Sequence, residues 1–316
     1  MSSLKIFYQE GNKVKLSRSL DILQQIERKD IIWIDLVNVS EDIESRLEDF
    51  LKIYIQEDEE MEEIEISSRY MQTDDSIVAN SNFLHADFRT EPVSFIIKNN
   101  VLVSVRDSEL KSFNETVKRI FVNSGNFPSG FHVLVDLLET RVEYDADLIE
   151  DTTEYITDLS KDINAESDSM DEDTLLQIKE LQEKVMIIRQ NIIDKQRVVS
   201  NILKCPFFPK ELQPRLTMII KDINSLFEYT RFGFDRLDYL QDTFLGLVNL
   251  QQNKIIKIFT VVSVIFLPPT LIASMYGMNF DFMPELHWKY GYLFAIVLMI
   301  GVAVAVLGFF RLKKWI

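Results

Sequence analysis

Two apolar runs near the C-terminal end constrain this chain more than any other feature. Residues 255–276, IIKIFTVVSVIFLPPTLIASMY, carry one charge, Lys257, and residues 290–310, YGYLFAIVLMIGVAVAVLGFF, carry none. Each has the length, about 20 apolar residues, that crosses a hydrocarbon layer about 30 Å thick. A pair of buried core helices is the competing reading. The second run argues against it, because no face of that run is polar. The short connection brings the chain back to the side it entered from, so the segment reads as a membrane hairpin.

Flanking charge gives the orientation. Lys254 and Lys257 precede the first run, and Arg311, Lys313 and Lys314 follow the second. Between the runs Lys289 is opposed by Asp281 and Glu285. The positive-inside rule then places both termini in the cytoplasm of a cell (inner) membrane protein with two spans. Trp288, Tyr290, Tyr292 and Trp315 stand where interfacial aromatic belts belong. The first twenty residues hold no long apolar core and no small-residue cleavage site, so no secretory signal is read there.

The two spans differ in kind. Pro268 and Pro269 break into the first, which a membrane helix tolerates where neighbours or water satisfy the freed carbonyls. Asn253, Thr260, Ser263, Thr270 and Ser274 add polar groups to the same segment, whereas the second span is plainly aliphatic. The first span is expected to border something polar and the second to face lipid.

Before the hairpin the pattern changes twice. β-rich runs at LKIFYQ, IIWIDLV, SIVANSNFLHADF, PVSFIIK and VLVSVRD, with a hairpin turn at Asn99-Asn100, predict an α/β domain over residues 1–130. Its clearest helix, SEDIESRLEDFLKIY, takes Ser40 as N-cap and carries apolar positions through Tyr54. Residues 131–210 lose the β signal and read as an antiparallel helical pair with one face crowded by Asp and Glu, turning at SDSMDED. That face is either a solvated surface or one that attracts cations, through acids such as Asp145, Asp147, Glu150, Asp151 and Asp158. Prolines 206, 209 and 214 end the pair. From about Arg215, apolar residues near heptad spacing predict one long helix, with a cytoplasmic part over 215–253 and a span over 254–277. It is expected to run roughly 90 Å to the Gly-Met-Asn triplet, which suggests a stalk that finds partners by oligomerisation. An outer loop over 278–289, a second span over 290–311 and a basic tail over 312–316 complete the chain.

Composition narrows the function. A net charge of −16 argues against a nucleic-acid partner, since phosphate needs a basic face. The single cysteine, Cys205, excludes a disulfide framework or a CxxC zinc site and reads as a buried small residue. His85, His132 and His287 lack metal-ligand spacing. No nucleophile–base constellation and no phosphate-cradling motif occurs, so the chain is expected to be no enzyme and to use no organic cofactor.

YGMNF after the first span, MPEL before the second, and KKW in the tail occur in that order. With the long helix ahead of them, they resemble the CorA family of divalent-cation channels. The resemblance covers the architecture of the whole chain and is specific at residue level from about Asn253 onward. It implies an α+β membrane protein that assembles as a funnel-shaped homopentamer, with the first span of each subunit lining the pore. It also implies passive influx of Mg2+, with Co2+ and Ni2+ as further candidates, gated by intracellular Mg2+. Gly277, Met278 and Asn279 then form the selectivity ring, in which Asn279 and Gly277 carbonyls accept from the water shell of the ion and Met278 packs. Gly277 is expected to supply the turn that lifts the loop out of the helix.

By the same resemblance, Asn253 and Thr270 give polar pore rings, while Ile256, Phe259 and Leu267 form a hydrophobic gate that blocks ions by dewetting. The Leu267 position is often Met in the family, and that of Ser274 often Gly. Regulatory Mg2+ sites do not transfer cleanly, because a stalk position that is Asp in one member falls on Met218 here. Asp87 and Asp222 are the replacement candidates, and Glu285 in the outer loop is expected to draw cations in. Two alternatives stay open: a zinc or other transition-metal transporter of the same superfamily, and a non-conducting receptor or scaffold. The intact Met278 favours Mg2+ over the first. The second predicts no cation flux and no role for the polar residues of the first span.

Overall fold

A computed structural model describes residues 2–11, 13–56, 69–165, 172–279 and 283–313. They fall into two units, Met1–Gln241 and Asp242–Ile316. The first is built on a seven-stranded mixed sheet in the order β2-β1-β3-β7-β6-β5-β4. Its strands are β1 (Ser3–Glu10), β2 (Lys13–Ser17), β3 (Ile31–Val37), β4 (Tyr70–Gln72), β5 (Ser76–Leu84), β6 (Thr90–Lys98) and β7 (Val101–Arg106). Every neighbouring pair is antiparallel except β3 and β7. The β6–β7 turn is made by Asn99 and Asn100, both at positive φ (50° and 69°), which asparagine tolerates and the twist of a two-residue hairpin requires.

Both faces of the sheet are covered, so its central strands are buried on both sides. On one face, α1 (Glu41–Leu51) sets Leu47 and Leu51 against Ile6, Ile34, Ile96 and Val103. This helix ends at Lys52 in the left-handed conformation, before Tyr54, which is exposed rather than part of the helix. Ser40 stands at the N-cap without a side-chain capping bond.

The other face packs α2 (Lys111–Val122), α3 (Gly130–Ala165) and α4 (Glu172–Leu203) over Phe7, Trp33, Phe95 and Leu102. Phe7 stacks on Trp33 at 4.6 Å between ring centroids. The expected turn at SDSMDED lies largely outside the described residues. Gly130, at the head of α3, is placed where no side chain fits. A Cβ there would collide with the Leu102 amide nitrogen and come within 2.8 Å of the Asn100 oxygen. The Gly130 N–H donates to that same Asn100 carbonyl at 2.6 Å.

Helix α4 also closes an open edge of the sheet. Among the described residues, β4 pairs with β5 only as far as Ala79. Beyond it, Asp194 accepts from the Asn82 amide at 2.9 Å, and Asn191 donates to the Asn82 carbonyl at 2.7 Å. Such capping removes a row of unpaired peptide groups that would otherwise invite aggregation. Asp145 departs from the sequence expectation. It is buried on α3 between Arg141 and Lys195 and takes no part in the solvated acidic face. Asp147, Glu150, Asp151 and Asp158 lie outside the buried core, as that face requires.

Helix α5 (Gln213–Tyr276) is continuous over 64 residues, with both Pro268 and Pro269 inside it. Within the first unit it buries Leu216, Ile219, Ile223, Leu237 and Leu240. Cys205, just before it, is buried as expected. The second unit holds the rest of α5, a short 3-10 turn (Pro284–His287) and α6 (Gly291–Leu312). Both long helices carry segments apolar and long enough to cross a membrane, and almost no residue of those segments is buried.

Candidate functional site

The candidate site is the apolar part of α5 and the triplet that ends it. An α-helix turns by about 100° per residue, so residues three, four and seven apart share a side. In this segment Val261, Ile265, Pro268, Pro269, Ile272 and Tyr276 are partly buried and share one side. Asn253, Ile256, Phe259, Leu267 and Thr270 are all exposed and lie away from that side. Ile256, Phe259 and Leu267 are 61%, 69% and 68% exposed. Large apolar side chains left this open on a helix mark a surface that meets lipid or another protein chain.

The prolines leave the helix unbroken. Pro268 and Pro269 have no N–H to offer the carbonyls of Val264 and Ile265. The Thr270 hydroxyl donates to the neighbouring Phe266 carbonyl at 2.8 Å, and Thr260 donates to the Ile256 carbonyl at 2.8 Å. Hydroxyls that bond one turn back help a membrane helix to satisfy its own backbone.

The triplet follows directly. The Gly277 N–H still donates to the Ala273 carbonyl at 3.0 Å, and Met278 N–H to the Met275 carbonyl at 3.3 Å. The helix therefore ends through a tight last turn at Gly277, whose φ is not in the left-handed region. Its lack of a side chain matters for space instead. A Cβ would come within 3.2 Å of the Ala273 oxygen, an acceptor already in use. Met278 is 50% exposed. Asn279 is exposed, and its side chain has no hydrogen-bond partner among the described residues. A carboxamide offers one acceptor oxygen and two donor hydrogens without formal charge.

Past the triplet, Trp288 packs on Phe294 at 5.7 Å and edge-on to Tyr290 at 6.4 Å, an aromatic cluster at the start of α6. Glu285 falls in the 3-10 turn, but its side chain lies outside the described residues, as do Asp281, Lys314 and Trp315.

The two regulatory candidates sit on different elements of the first unit. Asp87 is at the tip of the β5–β6 hairpin, where Arg89 Nε donates to it at 2.6 Å. That hydrogen bond holds the Asp87 carboxyl below its ordinary range. Asp222 is exposed on α5. Among the described residues of this single chain, no three His, Cys, Asp or Glu side chains converge as a metal cluster.

Comparison with known proteins places this architecture. Residues 28–314 match the family described as CorA-like Mg2+ transporter protein. The chain is 38% identical to the magnesium transport protein CorA of Wolinella succinogenes, over 90% of this chain and 91% of that one. It is 34% identical to the magnesium transport protein CorA of Escherichia coli, over 99% and 100% of the two chains. The solved structure of the complete CorA magnesium transporter from Methanocaldococcus jannaschii shares the fold, with a TM-score of 0.82 at 19% identity over 100% of this chain and 99% of that one. The chain belongs to the family of CorA-like Mg2+ transporter proteins.

Proposed function

We propose that this chain is the subunit of a membrane channel that carries Mg2+ passively into the cell. Membership of the CorA-like family supports transport of Mg2+. The observation that carries the conduction path is the exposed Asn279 carboxamide, without a hydrogen-bond partner among the described residues, at the end of a membrane-length helix segment. Mg2+ gives up its waters reluctantly, so a selective mouth holds the hydrated ion through acceptors for those waters. Asn279 side chains from several copies, with the Gly277 carbonyls, form such a ring around one axis, with Met278 between them. Carboxylates at that place would bind the dication tightly and slow its release, whereas conduction needs weak binding at several sites.

Below the ring, Thr270 and Asn253 contact the hydrated ion, and Leu267, Phe259 and Ile256 close the path by dewetting. The copies form a homo-oligomer, a pentamer on the family resemblance, with both termini cytoplasmic and Glu285 at the outer mouth. The membrane potential supplies about 2.3 kcal/mol per charge per 100 mV, enough to drive a dication without ATP. Regulatory Mg2+ bound through Asp87 and Asp222 of neighbouring copies holds the pore closed when the cell is replete. The test is Mg2+ uptake by proteoliposomes under an imposed potassium diffusion potential. Uptake is expected to rise as the interior becomes more negative, and uptake that ignores the potential would contradict the passive mechanism.

A further inference from the structure

The inference rests on α5 being the pore-lining helix and concerns one residue that the pore assignment leaves out. With a step of about 100° per residue, Asn253, Ile256, Thr260, Ser263, Leu267, Thr270 and Ser274 all project within roughly 60° of Leu267. Their spacing alternates between three and four residues, and every one except Ile256 and Leu267 is polar. All seven are exposed, and the partly buried side with Ile265 lies opposite. Phe259 projects about 80° from Leu267, on the flank of the stripe. Polar side chains in a membrane span turn toward a bundle interior or a water-filled path. The stripe, more than any single position, is what the lumen meets.

The hydroxyls on it are not equivalent. Thr260 and Thr270 donate their hydrogens to the carbonyls of Ile256 and Phe266, which leaves only their oxygens to accept. Ser263 has no hydrogen-bond partner among the described residues. It stands roughly 10 Å along the helix from Ile256 and roughly 6 Å from Leu267, between the two apolar constrictions. An apolar constriction conducts only when water fills it. The waters of a Mg2+ ion are strong donors that need acceptor oxygens along the way.

We propose that Ser263 from each copy forms a ring of hydroxyls inside the gate, whose oxygens accept from the waters of the passing ion and lower the cost of wetting. The gate of this chain then holds the hydroxyls of Thr260 and Ser263 between its apolar residues, and Ser263, midway between Phe259 and Leu267, sets how readily it opens.

The experiment uses the full chain in liposomes, in a Cys205→Ala background, with a cationic, membrane-impermeant methanethiosulfonate as probe at low internal Mg2+. Asn253→Cys, Ser263→Cys and Leu267→Cys are expected to react and lose flux on reaction, while Ile265→Cys stays inert. An inert Ser263→Cys beside reactive Asn253→Cys and Leu267→Cys overturns the inference and leaves the pore reading standing. If all three are inert while flux persists, the pore reading itself fails. In parallel, Ser263→Ala is expected to lower flux roughly fivefold, the effect of one hydrogen bond. Ser263→Asn, which keeps a polar group, is expected to restore most of it. Unchanged flux in Ser263→Ala, with the assembly intact by gel filtration, overturns the proposal.

Discussion

The Asp145 carboxylate lies 2.9 Å from the Lys195 ammonium, and both side chains are sealed from solvent where α3 and α4 meet the sheet. Arg141, one turn before Asp145, pairs with the same carboxylate and donates to the Leu84 carbonyl at 2.6 Å. Lys195 in turn donates to the Asn82 carbonyl at 3.2 Å. One anion thus holds two cations that pin the end of β5 to the helical pair. Removing the anion alone leaves both cations buried without it. Asp145→Ala is expected to destabilise the first unit by about 3–5 kcal/mol, read as a lower urea midpoint of its unfolding. A change below about 1 kcal/mol would mean that water reaches the cluster.

The same pair predicts a pH dependence. Burial lowers the Lys195 ammonium from 10.5 to about 8, with Asp145 opposing the shift and Arg141 adding to it. Between those values the unfolded chain holds a proton that the folded chain has released. Stability from this group is therefore complete above the unfolded value and is lost as pH falls through the folded one. The unfolding free energy of the parent chain is expected to rise, relative to Lys195→Met, as pH goes from about 8 to about 10. Parallel profiles would contradict the assignment.

Asp87 is held by Arg89 within its own hairpin, so any regulatory cation has to displace that partner. Arg89→Gln is expected to lower, severalfold, the internal Mg2+ concentration that half-closes the channel. Asp87→Asn is expected to raise it. Equal closure curves for all three chains would remove Asp87 from the sensor.

Leu267 tests the gate by polarity. Leu267→Asn keeps the side-chain volume close but offers water a partner inside the constriction, so flux at high internal Mg2+ is expected to persist where the parent chain closes. Full closure in this variant would place the gate elsewhere.

Much of this fold is legible in the sequence because it depends on near neighbours along the chain. The Asn99-Asn100 turn, the end of the helical pair at Cys205-Pro206 and the two apolar spans each follow from a few adjacent residues. β2 and β4 are not, since KVKLS and YMQ are too short and too polar to stand out without the strands they pair with. The buried charges are hidden for a related reason. Arg141 and Asp145, like Asn191 and Lys195, are spaced as ordinary surface pairs on a helix, and only the packing of α3 and α4 on β5 turns them inward. Gly277 reads as a turn residue, and the helix ends at Tyr276 just before it, with the Met278 N–H bonding three residues back. For the site, the triplet and the polar stripe are readable from spacing. The different bonding of Thr260, Ser263 and Thr270 emerges only in three dimensions.

The central claim is that Asn279 meets the hydrated ion. The most direct measurement is Mg2+ uptake into proteoliposomes by Asn279→Ala beside the parent chain, with native mass spectrometry of both. Uptake is expected to be lost in Asn279→Ala while the oligomer keeps its mass. Uptake at the parent rate from an intact Asn279→Ala oligomer would contradict it.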